Sequence, residues 1–168
     1  MTKHILFPIA ITALIIVSLG LLAKKYQSAT TTPTNKNQTQ EQKPKIKINN
    51  TEIELEIADT PEKRTKGLSN RDSLDQNKGM LFVFPKGSTA TFWMKDMKFD
   101  LDIIWIRDSK IVKIDKNAKA PKTGTPDNKL TLYKSNQPID YVLEVNSSFT
   151  DKNNIKVGDK VELINFQE

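Results

Sequence analysis

The chain has 168 residues, 37% of them hydrophobic and 27% charged, with no Cys and a single His, His4. No His/Cys zinc site, Cys nucleophile, Ser-His-Asp triad or disulfide can therefore be built beyond that His. The formal net charge of +6 divides unevenly. Lys3, Lys24, Lys25, Lys36 and Lys43 stand against Glu41 in residues 1–44, leaving 21 of the 26 basic and 19 of the 20 acidic side chains in residues 45–168. The folded part is close to neutral, so no nucleic-acid partner is expected.

Residues 5–23 run from Ile5 to Ala23 without a charge. As a helix they would span about 28 Å, near the thickness of a hydrocarbon core. Pro8 falls in the first turn, where a missing N–H costs least. The run is longer than the apolar stretch of most signal peptides and lacks a clear small-x-small cleavage site, which favours an uncleaved signal anchor over a cleaved signal. No Cys follows it for a lipid anchor. Residues 28–44 are mostly Thr, Gln, Asn, Lys and Pro, too polar to order themselves. The expected organisation is an N-terminal transmembrane or signal helix in residues 1–27, a polar linker in 28–44 and a globular domain in 45–168. The expected location is the cell membrane, single-pass, with the domain on the extracytoplasmic side, although Lys24 and Lys25 after the run argue weakly for the opposite orientation.

Within the domain, Lys45 to Ile57 alternates polar and apolar with Asn49-Asn50 in the middle, a strand, a two-residue turn and a second strand. Glu52, Glu54 and Glu56 then form a solvated face. Asp59-Thr60-Pro61-Glu62 opens a short helix and Gly67 closes it. Further strands are expected over Met80–Phe84, stopped by Pro85, and over Thr89–Met94, Leu101–Ile106, Lys110–Ile114, Leu130–Tyr133, Ile139–Val145 and Lys160–Ile164. Arg107-Asp108-Ser109 is a turn, and Gly158 supplies a positive φ before the last strand. Residues 151–159 lack the ligand alternation of a calcium loop. The fold class is mostly β, a β-rich α+β: a compact, mainly antiparallel sheet or barrel-like domain with one or two short helices.

The densest unusual segment is Phe92-Trp93-Met94-Lys95-Asp96-Met97. Alternation puts Phe92 and Met94 on one face and Trp93 and Lys95 on the other, either as a ligand surface or as core with a Lys lying over it. Asp102 and Glu144 each sit inside an apolar strand. Buried close together they could serve as an acid–base pair; otherwise each accepts loop N–H groups or pairs with Arg71 or Lys95. A Ser69–Lys95 dyad is conceivable but nothing in the spacing supports it. No metal and no cofactor are implied.

Residues 53–163 also resemble the domain-of-unknown-function 192 family of bacterial and archaeal proteins, often exported. The resemblance rests on Ala58-Asp59-Thr60-Pro61-Glu62, Arg64 with Gly67-Leu68, Arg71 with Leu74, and Gly79 to Pro85. It continues through Phe92-Trp93-Met94-Lys95, Leu101-Asp102-Ile103-Ile104, Val142-Leu143-Glu144 and Gly158-Asp159. It implies a small β-rich fold, an extracytoplasmic setting and no established activity. It also implies that Arg71, Gly79, Met80, Phe92, Trp93, Met94, Lys95, Asp102 and Glu144 share one structural centre. Asp96-Met97 and Asp100 stand where the family pattern carries Asn-Thr and Pro. The leading expectation is a membrane-tethered binding or envelope-associated module with no catalytic residues. Its ligand, a small molecule or cell-envelope component, would meet Arg71, Met80, Trp93, Met94, Lys95, Asp102 and Glu144. The alternative is a small carboxylate-dependent hydrolase acting on a cell-envelope substrate.

Overall fold

The computed structural model describes residues 42–167. The expected membrane segment and nearly all of the linker lie outside them. Among the described residues, no helix is long and apolar enough to cross a membrane.

Nine strands follow in chain order: β1 Lys45–Ile48, β2 Thr51–Ala58, β3 Lys78–Ser88, β4 Thr91–Trp93, β5 Leu101–Arg107, β6 Lys110–Ala118, β7 Leu132–Lys134, β8 Ile139–Asn146 and β9 Val161–Ile164. The helices are α1 Pro61–Lys66 and α2 Phe149–Lys152, with a 3₁₀ turn at Asp127–Lys129. Seven strands form one sheet in the order β6-β5-β8-β3-β2-β1-β9, and β4 pairs with β7 in a separate ribbon.

The local chemistry explains these boundaries. Asn49 takes φ 54° between β1 and β2, and Asp108 and Ser109 take 50° and 55° between β5 and β6, the left-handed conformations that tight hairpins require. The Thr60 side chain accepts from Lys63 N at the start of α1, Pro61 occupies its first turn, and the Gly67 N–H donates to Lys63 O at its end. Because α1 lies in the crossover, β2 and β3 run parallel, and every other pair in the large sheet is antiparallel.

Two strands are longer than expected. β3 continues through Pro85 to Ser88, but its register with β8 breaks between Val83 and Ser88. Pro85 thus interrupts the ladder, for want of an N–H, without ending the extended backbone, and pairing resumes at Ser88 opposite Ile139. β6 reaches Ala118 through two register irregularities against β5.

The sheet curls into a half-barrel whose outermost strands touch at one end. There Ile111 N donates to Asp159 O at 3.0 Å, Gly158 N to Ile111 O at 2.8 Å and Val161 N to Ser109 O at 2.9 Å. Ile46, Ile48, Ile53, Leu55, Leu81, Ile104, Ile106 and Leu143 fill the inside, with Phe149 of α2 packed among them. The outer face is also buried. Met80, Phe82, Leu101, Ile103, Trp105 and Val142 lie under Leu68, Met94 and Met97 of the loops. This second, lateral core contains the site.

Candidate functional site

A cavity of about 410 Å³ opens on the outer face of the half-barrel. The end of α1 and the following loop form one wall, with Arg64, Thr65, Lys66, Leu68 and Ser69. Phe82 and Phe84 of β3 form another. Thr91, Phe92 and Trp93 of β4, with Met97, form the third, and Glu144 of β8 lines the cavity with them.

The walls are tied together by backbone contacts. Arg64 Nη1 donates to Asp59 O at 2.8 Å and to Val83 O at 3.0 Å, and its guanidinium lies 5.3 Å from the Phe84 ring centroid. Asn70 N donates to Asp96 O at 2.8 Å and Ser69 Oγ to Lys95 O at 3.0 Å, which fastens the loop after α1 to the loop after β4. The Phe92 ring meets Phe82 edge-on at 4.9 Å and Trp105 at 5.5 Å, so the aromatic wall is part of the core and is held rigid by it.

Glu144 is the one side chain here that the fold does not explain. It is 5% exposed. On the sheet it stands opposite Met80 of β3 and Ile103 of β5, both apolar. Its carboxyl makes no hydrogen bond or ion pair among the described residues. Burial alone pushes its pKa from 4.5 to about 8, so at neutral pH it is a neutral carboxylic acid that can donate or accept a hydrogen bond.

Asp102 is just as buried and entirely different. It accepts from Asn117 N at 2.9 Å, Ser148 N at 3.2 Å, Thr150 N at 2.9 Å and Thr150 Oγ1 at 2.6 Å. Those bonds hold the start of α2 and the irregular backbone at Asn117, whose φ is 52°. Alternation along β5 points Asp102 into the half-barrel, and Glu144 points out of it. The two carboxyls lie on opposite faces of one sheet, and no acid–base pair forms between them.

Of the residues expected at a site, the cavity brings together Trp93 and Glu144. Met80 and Met94 are buried in the core beside it. Arg71 lies outside, in a two-bond pair with Glu56 at 2.6 and 2.7 Å that holds the Glu56 carboxyl below its ordinary pKa. Lys95 extends over the Trp93 ring at 5.5 Å and reaches Asp127 at 2.5 Å. Ser69 therefore meets only the backbone of Lys95, and no Ser–Lys dyad exists. Glu52 and Glu54 pair with Lys45 and Lys43 on the solvated face.

The sequence reading missed Arg64, Thr65, Leu68, Phe82, Phe84 and Met97 as site residues. Phe82 and Phe84 read as ordinary buried-strand residues. Only the strand period, which sets Phe82, Phe84 and Glu144 on one side of the sheet, could have grouped them. Among the described residues, no cluster of His, Cys, Asp and Glu could hold a metal ion.

The fold and cavity define a class: a β half-barrel with a lateral pocket built on the outer face of its sheet. The chain belongs to the DUF192 family, described as "Uncharacterized ACR", which it matches over residues 44–163. It is similar to the crystal structure of a protein from Sinorhizobium meliloti 1021 put forward as a transcription regulator. The TM-score is 0.64 at 26% identity, covering 73% of this chain and 95% of that one. A second similar structure, from Novosphingobium aromaticivorans DSM 12444, is of a protein of unknown function. Its TM-score is 0.61 at 29% identity, covering 70% of this chain and 83% of that one. No curated protein matches the chain significantly.

Proposed function

We propose that this domain is a non-enzymatic binding module for a small ligand, held at the outer face of a bacterial cytoplasmic membrane by its N-terminal apolar segment. The observation that carries the binding reading is Glu144: a largely buried residue whose carboxyl has no hydrogen-bond or ion-pair partner among the described residues and opens onto a cavity with aromatic walls. Among the described residues no fully enclosed side-chain nitrogen or oxygen lacks a hydrogen-bond partner, so the unpaired Glu144 oxygens open onto the cavity. A ligand that reaches them gains a hydrogen bond in a largely desolvated site. A pocket of about 410 Å³ whose aromatic and aliphatic walls are rimmed by Arg64, Lys66, Ser69 and several Thr side chains has the size of small-molecule sites.

The tether is supported by the nineteen uncharged residues from Ile5 to Ala23 and the polar stretch that follows. The hydrolase reading loses its acid–base pair, because Asp102 and Glu144 face opposite ways. The near-neutral charge of residues 45–168 supports a small ligand over nucleic acid, so the regulator role suggested for the Sinorhizobium protein is not carried over.

The test is a thermal-shift screen of the full-length chain in detergent against a chemically diverse small-molecule library. Ligands that bind the folded state raise the melting temperature. Thr65→Trp places a large ring at the exposed rim of the cavity and is expected to abolish those shifts. A screen without stabilising compounds, or hits indifferent to that substitution, would defeat the binding reading. Protease added to intact cells should digest the domain, and survival of the domain would refute the outward orientation.

A further inference from the structure

The charges around the cavity say more about what enters it. The charged side chains on its walls are Arg64, Lys66 and Glu144. Lys95, over Trp93, is neutralised by Asp127. The strands packed against Glu144 bring no other titratable group to it. β3 presents Met80 and Phe82, β5 presents Ile103, and β4 presents Phe92 and Trp93. Arg64 uses one nitrogen for both backbone contacts, and neither it nor Lys66 forms an ion pair among the described residues.

Building on the binding reading above, we infer that the pocket takes an amphipathic organic acid. Its anionic group stays at the mouth with Arg64 and Lys66, its apolar body packs on Phe82, Phe92 and Trp93, and a neutral polar group at its far end hydrogen-bonds to Glu144. This arrangement buries no net charge. The anion keeps contact with water and two cations, and the interior receives only a neutral hydrogen bond. A cationic ligand would instead have to pass Arg64 and Lys66 and force Glu144 to ionise in a desolvated site. The raised pKa of Glu144 agrees with the neutral arrangement.

The experiment uses full-length protein with methyl-labelled methionine, because Met97 lines the cavity. Three probes share one ring. 4-Hydroxyphenylacetate has the anion and the far hydroxyl, phenylacetate lacks the hydroxyl, and tyramine replaces the anion with an ammonium. Titrations at neutral pH should shift the Met97 methyl with 4-hydroxyphenylacetate binding at least about tenfold tighter than tyramine, and tighter than phenylacetate. Its affinity should fall as the pH passes about 8 and Glu144 loses its proton. Glu144→Gln should remove that fall and keep the preference for the anion.

Tyramine binding as well as or better than the acid, or affinity that rises through the same pH range, would overturn the inference and leave the pocket reading intact. Failure of all three probes to move Met97 would overturn it too. The pocket reading would then be decided by the library screen and the Thr65→Trp variant.

Discussion

Glu144 and Asp102 are two buried carboxyls in neighbouring strands, and what surrounds each makes them opposites. Glu144 has only apolar neighbours across the sheet, and burial raises its pKa to about 8 from 4.5. The unfolded chain therefore loses this proton near pH 4.5, whereas the folded chain keeps it until about 8. The stability that the neutral acid supports is complete below the lower value and is lost as pH rises through the higher one, at up to about 1.4 kcal/mol per pH unit. Glu56, held low by Arg71, and the Asp59 and Asp75 carboxyls, held low by Lys63 and Lys78, are ionised in both states over most of that range. Urea midpoints followed from pH 5 to 8 should therefore decline in the parent, and Glu144→Gln should flatten the decline and be the more stable protein at pH 8. An equal slope in both would mean the carboxyl ionises in the fold. Asp102 meets four donors instead. Asp102→Ala strands them in the interior and should cost at least about 3 kcal/mol in urea unfolding; a loss below about 1 kcal/mol would show that water replaces the carboxylate.

At the scale of elements, β3 and β8 are the pair on which the pocket depends, and their closeness rests on Gly79. A Cβ there would meet Glu144 O at 2.9 Å, Leu143 Cδ1 at 3.0 Å and Val145 Cγ1 at 3.1 Å. The first contact is backbone and cannot rotate away. Gly79→Ala should push β8 outward and cost about 1–3 kcal/mol, and it should shift the amide resonances of residues 143–145. An unchanged β8 with parental stability would contradict the close approach. Such elements were largely legible in the sequence. Asn49-Asn50, Thr60-Pro61, Gly67 and Asp108-Ser109 each state a backbone requirement in their own chemistry, and the turns and α1 fall where those residues put them. The ends of β3 and β6 were not legible. Nothing local to Pro85 or to residues 115–118 says how far a neighbouring strand will accompany them, since pairing is decided by distant residues.

At the scale of the whole domain, the site was only half legible for the same reason. Trp93 and Glu144 stood out as residues at odds with their surroundings. Phe82 read as plain core, and nothing marked Leu68 or Met97 as site residues, until the sheet proved to have two buried faces, and then all three became walls of a cavity in the outer one. Asp102 drew equal attention from sequence and belongs to the inner face, where it is structural. The two cores share β3, β5 and β8, with Ile103 in one and Ile104, the next residue, in the other. Removing either side chain therefore loosens a strand that both cores need. Ile103→Ala and Ile104→Ala should each cost about 2–5 kcal/mol. In each variant, far-ultraviolet circular dichroism of the strands and the fluorescence of Trp93 and Trp105, one lining the cavity and the other fully buried in the outer core, should trace one coincident unfolding curve. Two separated curves in Ile103→Ala, with fluorescence lost first and strand signal retained, would mean that the lateral core can melt off an intact half-barrel. The pocket would then be a locally unstable layer on the sheet, and its rigidity could not come from the fold beneath it.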